Sequence, residues 1–125
     1  DLLFKLKGRK LCFITDCLPA GGLPYGEYTL GGAKIIYRDI VCRLEDGTAE
    51  RSVLHLNRGV CNVYSNSNIP LYECVNGASL NPATAIGVAD RKGSLDIGKD
   101  ADIIITDNIF EIKKTIIGGK VQYEA

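Results

Sequence analysis

The sequence contains no Met and no Trp, and only one His. Its 15 Lys and Arg offset 15 Asp and Glu, so the formal net charge is zero, and no arginine-rich run or aromatic platform is visible. Nucleic acids and anionic membrane surfaces attract a basic field, so neither is expected as a partner. No apolar stretch approaches the roughly 20 residues of a spanning helix, and no basic-then-apolar leader is seen. The five cysteines (Cys12, Cys17, Cys42, Cys61 and Cys74) include no Cys-x-x-Cys pair. Their odd number and mostly apolar settings read as reduced thiols in a cytoplasmic protein. With His55 the single histidine and no ligand spacing among the cysteines, no metal site is expected within the chain. The missing methionine, absent even at position 1, is read as the mark of a fragment or processed piece.

Common catalytic signatures are also missing. There is no Walker A loop, no Gly-x-Gly-x-x-Gly, no His-Glu-x-x-His and no Gly-x-Ser-x-Gly. What remains is a globular composition, 46% hydrophobic and 24% charged over 125 residues, enough for one ordinary domain. Residues 1–7 read as the tail of a helix stopped by Gly8. "KLCFIT", residues 10–15, is a near-continuous apolar run of the kind found in strands buried on both faces of a parallel α/β sheet. "EYTLGGAKIIYRDIVCRLEDGT" alternates apolar and polar residues around hairpin-type punctuation, which predicts two or three antiparallel strands.

From Ser52 the period becomes helical. Val53, Leu56, Val60 and Val63 share a face and Ser52 is a plausible N-cap. Pro70 opens a second helix at the N1 position. In "NPATAIGV", Asn81 can cap a third, Pro82 start it and Gly87 end it. Beyond a boundary near residues 89–90, "KGSLDIGKDADIIITD" and "IKKTIIGGKVQYEA" are β-rich, with Gly118 and Gly119 a turn between strands.

Two residues carry possible chemistry. His55 lies in the predicted helix, where packing is the simpler role. Asp16 follows the apolar run and precedes the loop "CLPAGGLPYG". It can cap an Asx-type turn, or a strand can aim it at a site on the C-terminal face of a barrel or open sheet. The charges at Arg91-Lys92 and Lys113-Lys114 read as solvated loops.

In order and spacing, "ITDCLPAGGLPYGEYTLGG", "RLEDGT", "SLNPATAIGV", "RKGSLDIGKDADIIITD" and "TIIGGKVQYE" resemble the C-terminal third of the N-acetylglucosamine-6-phosphate deacetylases, a family of metal-dependent amidohydrolases. The segment with "KGSLDIGKDADIIITD" is similar to many amidohydrolases; "ITDCLPAGGLPYGEY" is particular to the deacetylases. The resemblance implies the C-terminal portion of a (β/α)₈ TIM barrel plus strands of a small β-sandwich domain. Residues 1–89 would be the end of the barrel, with "LCFIT" its eighth strand, a β insertion at about residues 27–48 and closing helices. Residues 90–125 would return to the sandwich. A barrel takes about 250 residues, so this chain would hold only part of one.

The resemblance also implies roles. Asp16 matches the family's catalytic aspartate, which takes a proton from water activated by a divalent metal, zinc or similar, and then protonates the departing amine. The products would be glucosamine 6-phosphate and acetate. The metal ligands and phosphate contacts would lie upstream, so none is expected here, and the chain alone is expected to be inactive. The whole enzyme would be a cytoplasmic homodimer acting on a small sugar phosphate. After "DGT" the family has a Gly-containing stretch that touches substrate; here Ala49, Glu50 and Arg51 stand at those positions. Arg51 in place of glycine motivates an alternative, another amidohydrolase with a different amide or lactam substrate. A further alternative is a non-catalytic fragment or structural module.

Overall fold

Seen in a computed structural model that describes residues 1–38, 41–48 and 52–125, the chain divides into two units. One comprises Ile14–Leu56, the other Asp1–Phe13 with Asn57–Ala125. The topology is mixed α/β.

In the first unit three strands form an antiparallel meander: β1 (Gly26–Leu30), β2 (Ala33–Arg38) and β3 (Val41–Leu44). Gly31 and Gly32 both have positive φ, 57° and 86°, as the tight turn between β1 and β2 demands. Period-two alternation sends Ile35, Tyr37 and Cys42 to one face. There they join Leu18, Ala20 and Val53 in a core, with Tyr28, Leu30 and Leu44 packed against it. At the end of β3, Asp46 accepts the Thr48 N–H at 2.8 Å in an Asx turn. The antiparallel strands predicted within residues 27–48 are thus present.

The apolar run before them differs from expectation. Residues 11–16 form no strand ladder, Ile14 is 82% exposed, and the sole pairing nearby is a parallel bridge between Cys17 and Ser52. A strand inside a parallel sheet needs a hydrogen-bonded neighbour along each edge, and the described residues supply only that bridge.

Ser52 also departs from prediction. It does not cap a helix: its carbonyl accepts the Leu18 N–H at 2.8 Å and its Oγ accepts the Leu54 N–H at 2.8 Å. Val53 goes into the β core rather than onto a helix face. Helix α2 therefore begins later, at Leu56, and runs to Ser65. His55 lies outside it and is exposed, so the helix-packing role is corrected.

The second unit opens with α1 (Leu2–Lys7), stopped by Gly8 as expected, and a short 3-10 turn. Helix α2 is followed by α3 (Leu71–Ala78), with Pro70 one position outside as its N-cap, and by α4 (Leu80–Ala85). Ser79 rather than Asn81 precedes α4, because Asn81 is buried and donates its Nδ2 hydrogen to the Leu11 carbonyl at 2.8 Å. Burying an amide is tolerable only with such a partner. Val60, Ile69 and Cys74 form the core, with Phe4, Phe13, Val63, Ala78 and Phe110 around it. The Phe13 ring lies edge-on to Phe4 at 5.8 Å, and its backbone N–H donates to the Gly77 carbonyl at 2.7 Å.

Strands β4 (Ile103–Thr106), β5 (Ile112–Ile117) and β6 (Lys120–Glu124) complete this unit as a second antiparallel meander turned at Gly118 and Gly119. The charged loop before β4 is ion-paired rather than simply solvated. Lys92 pairs with Asp100 at 2.9 Å and with Asp102, and Arg91 pairs with Asp100 at 3.1 Å. Asp102 also accepts the Gly118 N–H at 2.8 Å. The neighbouring Lys92 ammonium holds both carboxyls below their ordinary values, helped at Asp102 by the Gly118 N–H. The same pairs, Asp102 first, raise Lys92.

A depressed carboxylate contributes stability above its unfolded pKa, about 4, and loses that contribution as pH falls through the lower folded value. Melting temperature should therefore decline more steeply below about pH 4 in the wild type than in an Asp100→Asn/Asp102→Asn variant. Parallel acid-limb slopes in a pH series of thermal melts would show that the network is not linked to folding.

Candidate active site

Asp16 lies in the β unit, between the unladdered run and the Cys17–Ser52 bridge. Its φ is 48°, in the left-handed region that few non-glycine residues occupy; Asp and Asn are the usual exceptions. The chain immediately after it is fixed. Leu18 donates to Ser52, Leu18 and Ala20 are 4% and 2% exposed, and the Gly21 N–H returns to the Leu18 carbonyl at 2.8 Å.

The Asp16 side chain is exposed, and among the described residues no hydrogen bond or ion pair engages its carboxylate. This separates it from Asp46, which binds the Thr48 N–H, and from Asp107, which binds the N–H groups of Ile109 and Glu111 at 3.0 and 2.9 Å. Those two carboxylates hold their own turns. Asp16 is held by the backbone, and neither of its oxygens is engaged among the described residues, which supply no bond for the turn-cap role considered for it.

The other candidates are not gathered around it. Ala49, Glu50 and Arg51 lie outside the described residues. Among the described residues no group of three or more His, Cys, Asp and Glu could hold a metal ion, so the side chains present do not by themselves fit a metal centre. Cys12, Cys17, Cys61 and Cys74 are free thiols. Cys74 is buried, which pushes its thiol up and makes it a poor nucleophile. No helix among the described residues is long and apolar enough to cross a membrane.

The Amidohydrolase family model matches residues 39–122, about two thirds of the chain. The chain belongs to the amidohydrolase family. Amidohydrolases generally use divalent metal ions. The chain is 37% identical to an N-acetylglucosamine-6-phosphate deacetylase of Bacillus subtilis, over 98% of its own length and 31% of that relative. It is 33% identical to one of Vibrio furnissii, over 100% of its length and 31% of the relative. The solved N-acetylglucosamine-6-phosphate deacetylase of Pasteurella multocida superposes with a TM-score of 0.89 at 31% identity, covering 97% of this chain and 32% of that one. The corresponding Thermotoga maritima structure gives 0.85 at 30% identity, covering 99% and 34%. The chain thus spans about a third of the length of the relatives it matches.

Sequence reasoning missed the part played by Ser52. The only signal was its helix-cap residue type, and that pointed to the wrong partner.

Proposed function

We propose that these residues are the C-terminal portion of a metal-dependent deacetylase that hydrolyses the acetamide of N-acetylglucosamine 6-phosphate to glucosamine 6-phosphate and acetate. The observation that carries this reading is Asp16: an exposed, uncommitted carboxylate on a left-handed backbone pinned by its C-terminal flank, in a chain similar to deacetylases along its whole length. Water adds to the acetamide carbonyl as its proton passes to Asp16. The C–N bond then breaks as that proton is returned to the amine nitrogen. One carboxylate can perform both transfers because it is regenerated.

In this reading residues 1–89 close a (β/α)₈ barrel, with residues 11–15 as its last strand, and residues 90–125 belong to a small β-sandwich. The unladdered run fits such a role, because neighbouring barrel strands would supply its missing partners. Exposed apolar side chains on α1 (Leu2, Leu3 and Leu6) and on β6 (Val121 and Tyr123) suit a chain that packs against more protein. Ala49, Glu50 and Arg51 would line the substrate side. A divalent metal, zinc or similar, would be held by residues outside this chain. The whole enzyme would be a cytoplasmic homodimer.

The test is acetate release by the full-length protein from N-acetylglucosamine 6-phosphate. Turnover of this substrate in preference to other amides and lactams is the expected result. Arg51 at a position where deacetylases carry glycine favours the rival reading, another amide or lactam. A panel in which some other amide is preferred would establish that rival.

A further inference from the structure

We infer that Ser52 positions Asp16: its carbonyl, aimed by its own hydroxyl, holds the chain just beyond that carboxylate. This rests on the reading of Asp16 as the proton-transferring group. All the residues involved lie in the Ile14–Leu56 unit.

A non-glycine residue in the left-handed region is strained and persists there only where its surroundings hold it. Asp16, at φ 48°, is followed by such a tie. Among the described residues no N–H of residues 14–17 donates a backbone hydrogen bond. The first to do so is that of Leu18, which donates to the Ser52 carbonyl at 2.8 Å. The parallel bridge between Cys17 and Ser52 sets the residue next to Asp16 in register with the same serine. Leu18 is buried, where an N–H left without a partner is costly.

The direction of that carbonyl is set by the serine side chain. Ser52 Oγ accepts the Leu54 N–H at 2.8 Å, a local turn of the kind serine and threonine favour. The ring so closed contains the Ser52–Val53 peptide, whose oxygen is the acceptor for Leu18. Val53, inside the same turn, is buried in the β core. Ser52 is thus a positioning residue, acting on Asp16 through the backbone of Cys17 and Leu18. A misplacement near 1 Å in a reacting group costs up to about 100-fold in rate, and loss of one such hydrogen bond shifts a local equilibrium by up to about 10-fold.

The experiment uses the full-length enzyme and measures kcat, KM and melting temperature with N-acetylglucosamine 6-phosphate. In one variant the peptide N–H of Leu18 is exchanged for an ester oxygen, which deletes the bond to Ser52 and keeps every side chain. The same exchange at Leu23, whose N–H donates to the Ala20 carbonyl at 3.1 Å, removes a bond of the same loop that does not involve Ser52. The Leu18 ester is expected to lower kcat by about 10-fold with KM within about threefold, and the Leu23 ester to keep kcat within about twofold. Ser52→Ala should lose about threefold in kcat, and Ser52→Thr, which keeps the hydroxyl, should restore it.

A Leu18 ester that turns over at the full rate overturns the inference. Equal losses in the two esters do the same, since general loosening of the loop then accounts for both. Should the Leu18 ester fail to fold, the serine variants decide: full kcat in Ser52→Ala, or a Ser52→Thr enzyme as slow as Ser52→Ala, overturns it. Asp16→Asn, run alongside, separates this from the reading beneath it. An inactive Asn variant beside a fully active Leu18 ester removes Ser52 and leaves Asp16 in place, whereas an active Asn variant overturns the reading of Asp16 itself.

Discussion

Replacing Asp16 with Asn in the full-length enzyme is expected to lower kcat for acetate release by about 10³-fold or more. KM should stay within a few-fold and the melting temperature within about 1 °C. Asparagine keeps the size of the side chain and tolerates the left-handed backbone at φ 48° about as well as aspartate. No bond within the described residues is lost, because none engages the carboxylate. Only proton affinity disappears. Alanine would be a poorer probe, since it adds backbone strain at the same position. An Asn variant that retained more than about a tenth of the rate would remove Asp16 from the proton transfers.

The largest stability effect is expected at Gly93. Its φ of 88° is one that side chains rarely adopt, and an added Cβ would meet the Ala83 Cβ and the Leu80 Cα at 2.9 Å and the Ser79 oxygen at 3.0 Å. Two of these three atoms are backbone of α4 or its N-cap, which cannot swing aside. Gly93→Ala should therefore destabilise by about 3 kcal/mol, combining strain and overpacking. At Gly98 in the same loop φ is 92°, and a Cβ would meet nothing within 4 Å. Gly98→Ala isolates the backbone strain and should cost about 1 kcal/mol. Thermal melts of both variants decide the matter. Equal losses would mean that close packing of Gly93 on α4 contributes nothing.

The difference between these glycines is invisible in "KGSLDIGKDA", a segment whose composition gives only a β-rich reading. Local patterns were legible in the sequence. The alternation around Gly31-Gly32, the helix stop at Gly8 and the turn at Gly118-Gly119 all depend on residues close in the chain, and all are found as expected. Failures came where a distant partner decided the outcome. Ser52 has the chemistry of a helix cap, but the Leu18 N–H claims its carbonyl from 34 positions away, and Val53 follows it into the β core. Asn81 likewise satisfies Leu11 instead of capping α4.

The run before Asp16 has the apolar side chains that predict a buried strand. It forms no ladder here, since a ladder depends on neighbouring strands along its edges that the described residues do not contain. For Asp16, spacing alone left a turn cap and an aimed carboxylate as rivals. The uncommitted oxygens and the pinned flank favour the second, a distinction no one-dimensional pattern carries.

The most direct measurement is a crystal structure of the full-length Asp16→Asn enzyme with N-acetylglucosamine 6-phosphate bound. The side chain at position 16 is expected about 2.6–3.2 Å from the acetamide nitrogen, or from a water facing its carbonyl carbon. An intact sugar bound with its acetamide more than about 6 Å from that side chain, beyond the reach of one bridging water, would contradict the assignment of Asp16.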